Sequence, residues 1–363
     1  MKGLVLSGGK GTRLRPFTFT AAKQLVPIAN KPVLFYVIED LVRAGITEIA
    51  VIVGETGEQI RAAVGDGSRF GACVTFIDQL QPLGLAHAVL TAQEWIGESP
   101  FVMYLGDNFL RDGIGDLVRQ FQTAMDQGAN AQILLTSVPH PEQFGVALLD
   151  GDRVVRLIEK PAPPPSGTPP ISDLALVGVY MFDQRIFTAA RAIAPSRRGE
   201  LEITDAIQWL IERGDTVRPC RLAGWWIDTG KMEDLLEANR LVLERLERDV
   251  KGQVDAASTL VGAVRIEEGA RISNSVLRGP LTIGAGTEIS ESYIGPFTAI
   301  DHHCVVRRCE VQFSIVMEHS AIENIDTPIE SSVIGRRARV GRIERRPRAY
   351  RFTLGDYSCV EMP

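Results

Sequence analysis

The sequence predicts an α/β domain with a mixed, mostly parallel sheet, followed by a left-handed parallel β-helix. Three observations support this prediction. The chain has 363 residues, which is long for a single hydrophobic core. Short aliphatic runs alternate with amphipathic stretches up to about residue 230. Beyond that point, aliphatic residues recur every six positions, which is typical of a β-helix.

The α/β prediction rests on aliphatic runs that are nearly continuous, as in strands whose two faces are both covered. The predicted strands are Gly3–Leu6, Ile49–Val53 and Phe101–Leu105. Apolar spacing predicts the helices Val33–Ala44, Ala86–Trp95 and Met232–Val250. Ligands of open sheets bind beyond the carboxyl ends of the strands, so the loops that begin at Ser7 and Gly106 are candidate functional loops.

The β-helix prediction rests on four aliphatic series with a six-residue step. These are Ile266 and Ile272; Leu277, Ile283 and Ile289; Ile294, Ile300 and Val306; and Ile334 and Val340. A β-sandwich with alternating strands is the alternative, but the six-residue register persists over too many repeats to favour it. The repeat weakens between Cys309 and Pro328, which leaves the number of coils open. We assign residues 1–250 to the α/β domain and residues 251–363 to the β-helix.

Composition excludes several classes of function. The formal net charge of −6 provides no basic footprint for nucleic acid or an anionic membrane. No run approaches the roughly twenty apolar residues of a membrane span, and the short apolar N-terminus lacks the pattern of a secretory signal. The five cysteines form no C-x-x-C pair, which is typical of reduced thiols. We expect a soluble, cytoplasmic protein without nucleic-acid or membrane partners.

A glycine-rich loop follows the first predicted strand and contains Gly8, Gly9 and Gly11. Such a loop exposes successive backbone N–H groups to anions, and the cations Arg13 and Lys23 that follow add positive charge. The loop does not end in the Gly-Lys-Ser/Thr of a Walker A motif, nor does it have dinucleotide-binding glycine spacing. It therefore predicts phosphate binding of another type.

Two aspartates are candidate magnesium ligands. Asp107 follows a buried strand, and Asp228 lies between aromatic residues and a Thr-Gly turn. Mg²⁺ is usually held by one or two carboxylates together with substrate phosphates. A lone aspartate in a turn more often caps the turn, but a second carboxylate and a phosphate-binding loop favour the metal here.

Collinear motifs then establish a resemblance over the first domain. They are the loop that continues to Pro32, Asp66-Gly67-Ser68, Gln79 with Pro82-Leu83-Gly84-Leu85-Ala86, Leu105-Gly106-Asp107-Asn108, Phe144-Gly145-Val146, Glu159-Lys160-Pro161, Gly178-Val179-Tyr180, Arg198-Gly199-Glu200-Leu201-Glu202-Ile203-Thr204-Asp205 and Trp226-Ile227-Asp228-Thr229-Gly230. In these motifs the chain resembles the glucose-1-phosphate thymidylyltransferases, in the long form that carries a β-helix. The resemblance implies a Rossmann-like nucleotidyltransferase domain that uses dTTP, glucose 1-phosphate and Mg²⁺.

The resemblance also implies roles for individual residues. Arg13 and Lys23 act in catalysis: Arg13 contacts the departing pyrophosphate and Lys23 spans the phosphates. The nucleotide-binding residues are Leu6, Gly8, Gly9, Gly11, Thr12, Gln24, Gln79, Gly84 and Asp107. The residues that bind the sugar phosphate are Gly145, Glu159, Lys160, Gly178, Arg198 and Trp226. Asp107 and Asp228 hold Mg²⁺.

For some of these residues a structural role is the alternative. Glu159 and Lys160 also fit a solvated strand end, and Trp226 equally fits a buried core tryptophan. The sugar phosphate is mostly dianionic at neutral pH, because its second pKa is near 6, so the reaction needs no general base. We therefore interpret His87 as a structural or pocket-wall residue.

Three other functions remain as alternatives. One is uridylyl transfer, since a pocket discriminates a single ring methyl by only about 1–3 kcal/mol. A second is an acyltransferase activity of the β-helix, where His302, His303 and His319 lie, although nothing around them resembles an acetyl-CoA site. The third is a non-catalytic regulatory paralogue, although such chains typically lose the phosphate and metal residues. We expect the β-helix to mediate homo-oligomerisation.

Overall fold

The computed structural model of the chain describes residues 1–9, 11–165, 167–342 and 350–362. Lys10 of the glycine-rich loop and Pro363 lie outside the described residues. The chain forms two compact units. We call Met1–Lys10 with Leu34–Asp228 the α/β unit, and Gly11–Val33 with Thr229–Pro363 the β-helix unit. The domain limits 1–250 and 251–363 stay a prediction; the division by contacts runs differently, because residues 11–33 group with the β-helix.

The strands that precede the β-helix are mostly short. In chain order they are β1 (Lys2–Ser7), β2 (Pro27–Ile28), β3 (Lys31–Pro32), β4 (Glu48–Val53), β5 (Cys73–Asp78), β6 (Phe101–Leu105), β7 (Asn108–Leu110), β8 (Ala129–Ser137), β9 (Gly145–Asp150), β10 (Arg153–Glu159), β11 (Leu174–Phe182), β12 (Thr216–Arg221) and β13 (Trp226–Asp228). The strands predicted from aliphatic runs are confirmed as β1, β4 and β6.

The main sheet of the α/β unit is mixed, with the strand order β10-β9-β11-β6-β1-β4-β5, and β8 joins β11 to β12. Strands β6, β1, β4 and β5 are mutually parallel, whereas β11 runs antiparallel to β6. Strands β1, β4 and β6 are almost wholly buried, as their continuous aliphatic runs predict, whereas the edge strand β5 is largely half-buried or exposed. Their carboxyl ends lie at one edge of the sheet.

In the part of the chain that the structure describes, seven α-helices belong to the α/β unit, and an eighth belongs to the β-helix unit and precedes the first coil. They are α1 (Val33–Arg43), α2 (Gly57–Val64), α3 (Leu85–Thr91), α4 (Gln93–Ile96), α5 (Gly115–Asp126), α6 (Arg185–Ala192), α7 (Ile203–Glu212) and α8 (Met232–Leu243). The predicted helix Ala86–Trp95 is two helices, α3 and α4, with Ala92 between them. The predicted helix Met232–Val250 is too long, because Asp249–Val250 pairs in parallel with Arg265–Ile266 as the first strand of the β-helix. Among the helices of the described residues, none combines the length and apolar character needed to cross a bilayer.

The β-helix is built from short strands that form three parallel sheets. They are β14 (Asp249–Val250), β15 (Gln253–Val254), β16 (Thr259–Val261), β17 (Val264–Ile266), β18 (Arg271–Ser273), β19 (Val276–Arg278), β20 (Leu281–Ile283), β21 (Glu288–Ser290), β22 (Tyr293–Ile294), β23 (Thr298–Ile300), β24 (Val305–Arg307), β25 (Glu310–Gln312), β26 (Ile315–Val316), β27 (Ala321–Glu323), β28 (Ile329–Glu330), β29 (Val333–Ile334) and β30 (Arg339–Gly341). Every third strand belongs to the same sheet. The predicted fold class, a mostly parallel α/β domain followed by a left-handed β-helix, is confirmed.

The interior of the β-helix consists of stacked aliphatic side chains. Ile266, Ile283 and Ile300 occupy the same position in successive coils and are fully buried. Each six-residue step of the sequence pattern connects a strand of one sheet to the following strand, which belongs to the next sheet. Leu277 in β19 and Ile283 in β20 are an example. The coils continue through the region between Cys309 and Pro328, where the aliphatic pattern is weak.

Residues 11–33 contact the β-helix closely. The Asn30 Nδ2 donates to the Ile300 carbonyl at 2.8 Å, and the Arg336 guanidinium donates to the Leu25 carbonyl at 3.3 Å. The buried Asn239 of α8 accepts from the Ala29 N–H and donates to the Phe297 carbonyl, both at 2.9 Å. This segment, which carries the predicted phosphate-binding cations, is therefore fixed by side chains of the β-helix unit.

Candidate active site

The first predicted functional loop begins where β1 ends. Leu6 of β1 pairs with Leu105 of β6, so the residues that follow these two strands emerge from neighbouring positions at the same edge of the sheet. The Gly106 N–H donates to the Leu6 carbonyl at 2.9 Å. Ser7 is fully buried, and its Oγ has no hydrogen-bond partner among the described residues. An orphaned buried hydroxyl beside a glycine-rich loop is a feature that a ligand can explain.

Gln79 lies beside this loop at the end of β5. Its Nε2 lies 2.9 Å from His87 Nδ1 and donates to the Gly84 carbonyl at 3.4 Å. A Cβ placed on Gly8 would lie 3.3 Å from Gln79 Oε1. Three predicted nucleotide-binding residues, Gly8, Gln79 and Gly84, are therefore brought together. With the amide donors directed at Gly84 and His87, the acceptor oxygen of Gln79 faces the glycine-rich loop.

The two predicted metal ligands lie on a small antiparallel pair formed by β7 and β13. Asp228 pairs with Asn108, the residue next to Asp107. Paired residues of an antiparallel ladder have Cα atoms about 4.5–5.5 Å apart, so the two aspartates are close neighbours. Asp107 is 7% exposed. Two carboxylates at one end of a buried strand are the oxygen ligands that Mg²⁺ prefers.

Asn108 connects these aspartates to other predicted residues. Its Nδ2 donates to Asp107 Oδ1 at 3.3 Å, and its Oδ1 accepts from Trp226 Nε1 at 2.6 Å and from the Gly178 N–H at 3.2 Å. A Cβ on Gly178 would lie 2.5 Å from Asn108 Oδ1, so a larger residue there would displace the amide. The Trp226 ring also packs edge-on against Phe144, with centroids 5.3 Å apart. Trp226 is thus held in place by protein contacts on its nitrogen and its ring.

A second group of polar side chains surrounds Glu159. Glu159 Oε2 accepts from Thr204 Oγ1 at 3.0 Å, and its Oε1 accepts from the Arg198 guanidinium at 3.1 Å. Burial and the neighbouring Glu202 raise the pKa of Glu159, while Thr204, Lys160 and Arg198 partly lower it. Gly145 is the residue paired with Glu159, and a Cβ there would lie 3.0 Å from Glu159 Oε2. This glycine makes room for the carboxylate.

The two cations of this group differ in their surroundings. Arg198 contacts three carboxylates: its guanidinium lies 2.9 Å from Glu202, 3.1 Å from Glu159 and 3.4 Å from Glu200. Its charge is therefore largely balanced within the protein. Lys160 Nζ lies 4.0 Å from Glu159, and the Lys160 side chain is 44% exposed. Lys160 also has a left-handed backbone with φ of 42°, a conformation that costs a non-glycine residue roughly 1–2 kcal/mol.

The remaining predicted residues lie in the β-helix unit. A Cβ on Gly11 would lie 2.9 Å from Lys23 Cβ, so the stem of Lys23 covers the backbone of the loop. Thr12 and Arg13 form a short 3-10 turn, Thr12–Leu14, that follows directly. Burial raises the pKa of Asp234, and the charges of Lys231 and Arg13 partly lower it, which places Arg13 near this carboxylate. Gln24 is 1% exposed, and its Oε1 has no hydrogen-bond partner among the described residues.

Each unit thus gathers its own set of the predicted residues. The α/β unit contains Leu6, Gly8, Gly9, Gln79, Gly84, Asp107, Gly145, Glu159, Lys160, Gly178, Arg198, Trp226 and Asp228. The β-helix unit contains Gly11, Thr12, Arg13, Lys23 and Gln24.

Three residues of these groups were not among the predicted site residues. Asn108 and Thr204 lie within quoted motifs or next to them, but no local pattern distinguishes them from ordinary polar residues. We interpret His87 as a structural or pocket-wall residue, and its ring lies 2.9 Å from Nε2 of Gln79, a predicted nucleotide-binding residue. In each case the informative contact joins residues from different elements, so a single sequence does not reveal it.

Comparison with known proteins identifies the family. Residues 2–245 match the family model described as nucleotidyl transferase. The glucose-1-phosphate thymidylyltransferase of Streptomyces griseus is 53% identical over 363 residues, covering 100% of this chain and 99% of that protein. The protein of the same name from Streptomyces antibioticus has the same identity and coverage.

A solved structure gives a consistent result over part of the chain. It is a Bacillus anthracis protein in complex with a sucrose, provisionally named a glucose-1-phosphate thymidylyltransferase. It is 35% identical, with a TM-score of 0.60, and the match covers 66% of this chain and 94% of that one. These similarities confirm the resemblance drawn from the sequence motifs. The chain therefore belongs to the nucleotidyl transferase family.

Proposed function

We propose that the chain transfers a thymidylyl group from dTTP to glucose 1-phosphate and so forms dTDP-glucose and pyrophosphate. The observation that carries this proposal is the pairing of β7 with β13, which sets Asp228 beside Asp107 at the strand edge that also bears the glycine-rich loop. The two Streptomyces relatives that bear this enzyme name and match along the full chain support the choice of substrates.

Asp107 and Asp228 are the residues that would hold a magnesium ion. The donor set fits, since both ligands are carboxylates, and the Asn108 amide orients Asp107 by donating to its Oδ1. When bound, Mg²⁺ neutralises triphosphate charge and makes the α-phosphorus more electrophilic.

The reaction is a single displacement at phosphorus. A phosphate oxygen of glucose 1-phosphate forms a bond to the α-phosphorus of dTTP. The bond from this phosphorus to the oxygen bridging to the β-phosphate breaks, and pyrophosphate leaves with the electron pair. Because the sugar phosphate is already dianionic, no side chain needs to remove a proton. The protein supplies alignment and charge neutralisation.

Arg13 and Lys23 are proposed to neutralise the phosphate charge that shifts during this exchange, with Arg13 at the departing pyrophosphate. Gly8, Gly9 and Gly11 supply backbone N–H groups to the phosphates. The packing of the Lys23 stem on Gly11 supports this assignment, because it holds the lysine beside the loop.

Gln79 is proposed to read the base. Its Oε1 is the acceptor left over after its amide donors bond to Gly84 and His87, and a thymine or uracil N3–H is the matching donor. His87 acts as a positioning residue in this proposal: by accepting from Gln79 Nε2, it keeps the carboxamide from rotating by 180° and presenting its donors instead.

Glu159 is proposed to accept hydroxyl groups of the glucose, and Lys160 to bind its phosphate. The sequence resemblance assigns phosphate binding to Arg198 as well. Because the Arg198 guanidinium contacts three carboxylates, we favour a positioning role for it. In this role, Arg198 and Thr204 orient Glu159. The other predicted sugar-phosphate residues lie around these groups. Gly145 is next to Glu159, and Gly178 and Trp226 are next to Asn108.

Two further expectations remain proposals. We place the protein in the cytoplasm. We also propose a homo-oligomer that forms through the β-helix, since this unit exposes the aliphatic side chains of Val250, Val261 and Val276. Light scattering coupled to gel filtration measures the oligomeric state, and a monomeric mass at micromolar concentration would contradict this second expectation.

The direct test is pyrophosphate release with glucose 1-phosphate, Mg²⁺ and each of dTTP, UTP, ATP, CTP and GTP. We expect strong release with dTTP and identification of dTDP-glucose by mass spectrometry. A UTP rate equal to the dTTP rate would indicate dual specificity. The absence of release with every triphosphate from folded protein would contradict the proposal and favour a regulatory role.

A further inference from the structure

Three histidine side chains lie together on two successive coils of the β-helix. One ring nitrogen of each of His302, His303 and His319 lies within 4.8 Å of the others. His302 Nδ1 is 3.0 Å from His303 Nδ1. The rings of His303 and His319 are stacked, with centroids 5.2 Å apart and an interplanar angle of 18°. The three imidazoles thus form one compact nitrogen cluster.

The coil backbone fixes this arrangement. The His303 N–H donates to the Ala285 carbonyl at 2.9 Å, and the His319 N–H donates to the His302 carbonyl at 3.1 Å. His303 and His319 therefore occupy equivalent corners of successive coils, and both have left-handed backbones, with φ of 56° and 60°. Their side chains project from a regular stacked scaffold, and such rigid elements hold metal ligands more accurately than mobile loops do.

The donor set favours a transition metal over magnesium. Imidazole nitrogens suit Zn²⁺, Ni²⁺ and Cu²⁺, whereas Mg²⁺ prefers oxygen ligands. Three protein ligands with a fourth position open to solvent form a known type of zinc site, and His303 and His319 are exposed to solvent. The neighbouring Cys304 is turned inward, where its Sγ contacts the Met317 carbonyl at 3.2 Å.

Two carboxylates, those of Asp301 and Glu318, lie beside His302. The ligand atoms of Asp301 and Glu318 lie within 4.8 Å of a ring nitrogen of His302 and of each other. The His302 backbone N–H also donates to Asp301 Oδ1 at 2.7 Å, and Glu318 is held by Arg336 at 2.7 Å. Metal-binding histidines usually donate their second ring N–H to a carboxylate, which fixes the ring and raises its basicity.

We propose that His302, His303 and His319 bind one divalent transition metal ion, with Zn²⁺ as the best match, and that this ion joins two successive coils of the β-helix. The histidine site shares no residue with the proposed nucleotidyl transfer site. A test of the metal proposal is therefore independent of the proposed function. Its expected consequence is greater stability of the β-helix unit, because an ion that binds only the folded state raises the unfolding midpoint.

The test is a calorimetric titration of ZnCl₂ into the full-length protein after treatment with EDTA and dialysis. We expect one equivalent of Zn²⁺ per chain. The double variant His303→Gln/His319→Gln should lose this binding step or weaken it at least 100-fold. His140→Gln is the matched control, because His140 is an exposed histidine of the α/β unit beside Glu142. Equal binding by the wild type and the double variant, or no binding by the wild type, would overturn the proposal.

Two further measurements separate this site from other ligands. Co²⁺ bound in place of Zn²⁺ should show an absorption spectrum without a thiolate charge-transfer band; such a band would move the site to the cysteines and contradict the proposal. Zn²⁺ should raise the thermal unfolding midpoint of the wild type and of His140→Gln but not that of the double variant. An equal rise in all three proteins would also contradict it.

Discussion

The two units of this chain satisfy their polar side chains in different ways. In the α/β unit, the contacts around the candidate site join distant positions: Trp226 Nε1 bonds to Asn108 across 118 residues, and Thr204 Oγ1 bonds to Glu159 across 45. In the β-helix, the same type of contact repeats at the coil spacing: Ser292 N–H donates to Ser275 Oγ across 17 residues, and Cys309 N–H donates to Ser292 Oγ across 17. The repeating hydrogen bonds of the β-helix stabilise a regular scaffold, whereas the non-repeating hydrogen bonds of the α/β unit orient individual side chains of the candidate site. We therefore expect substitutions in the two units to affect different properties.

The largest effect is expected from Asp107→Asn in the α/β unit. Removing one of the two proposed magnesium ligands should slow pyrophosphate release by about three orders of magnitude, equivalent to about 4 kcal/mol of transition-state stabilisation. The thermal unfolding midpoint should change little. Asp112→Asn is the control, since this nearby carboxylate pairs with Arg111. Near-normal turnover of Asp107→Asn would refute the metal assignment.

The next effect lies in the β-helix and concerns stability. Ile289 is 1% exposed and stacks between Ile272 and Val306, so Ile289→Ala should cost about 3 kcal/mol of unfolding free energy through the cavity it leaves. Urea unfolding measures this change, with Val155→Ala at an exposed position of the α/β unit as the control. Turnover of the folded variant should stay near that of the wild type. A loss of activity as large as that of Asp107→Asn would remove the distinction between the two units.

A smaller effect is expected at the sugar side of the candidate site. Glu159→Gln removes a charged hydrogen-bond acceptor worth about 1.5–3 kcal/mol, so the KM for glucose 1-phosphate should rise roughly 10–100-fold. The KM for dTTP should change little. Glu212→Gln, at an exposed glutamate bonded to Gln208, serves as the control. An increase confined to the KM for dTTP would show that Glu159 serves the nucleotide instead.

The smallest effect concerns base selection. His87→Leu removes the acceptor for Gln79 Nε2, which frees the carboxamide to rotate and to offer donors to a cytosine ring. We expect the ratio of kcat/KM for dTTP to that for CTP to fall about tenfold, the equivalent of one hydrogen bond. His87→Asn retains an acceptor and should restore part of the ratio. A purely structural role for His87 would instead lower kcat/KM for both triphosphates alike.

The repeating unit was the easier one to predict. The six-residue period identified the β-helix because each step reports one buried aliphatic position. The six-residue period did not reveal that a coil can be shorter than three six-residue steps. The aliphatic series therefore breaks, for example between Ile289 and Ile294. Nor did the amphipathic pattern of residues 232–250 show where α8 ends. There the parallel pairing of Asp249–Val250 with Arg265–Ile266 overrides local helix preference.

The candidate site was predicted only in part, and for a different physical reason. Motif resemblance proposed Asp107, Asp228 and Glu159, and their roles stay predictions. The contacts that orient them involve Asn108, Thr204 and His87, which approach through strand pairing and helix packing between distant segments. The grouping of residues 11–33 with the β-helix depends on hydrogen bonds of Asn30, Asn239 and Arg336. These bonds join distant residues that belong to no repeat in the sequence.

The central claim is that Asp107 and Asp228 together hold the magnesium ion of thymidylyl transfer. The most direct test measures the Mg²⁺ dependence of pyrophosphate release from dTTP and glucose 1-phosphate for the wild type, Asp107→Asn, Asp228→Asn and Asp112→Asn. The account predicts that the wild type and Asp112→Asn need Mg²⁺ and saturate with it. The other two variants should stay slow at every Mg²⁺ concentration or require far more of it. Full activity of the wild type after removal of divalent ions, or wild-type Mg²⁺ dependence in Asp228→Asn, would contradict the account.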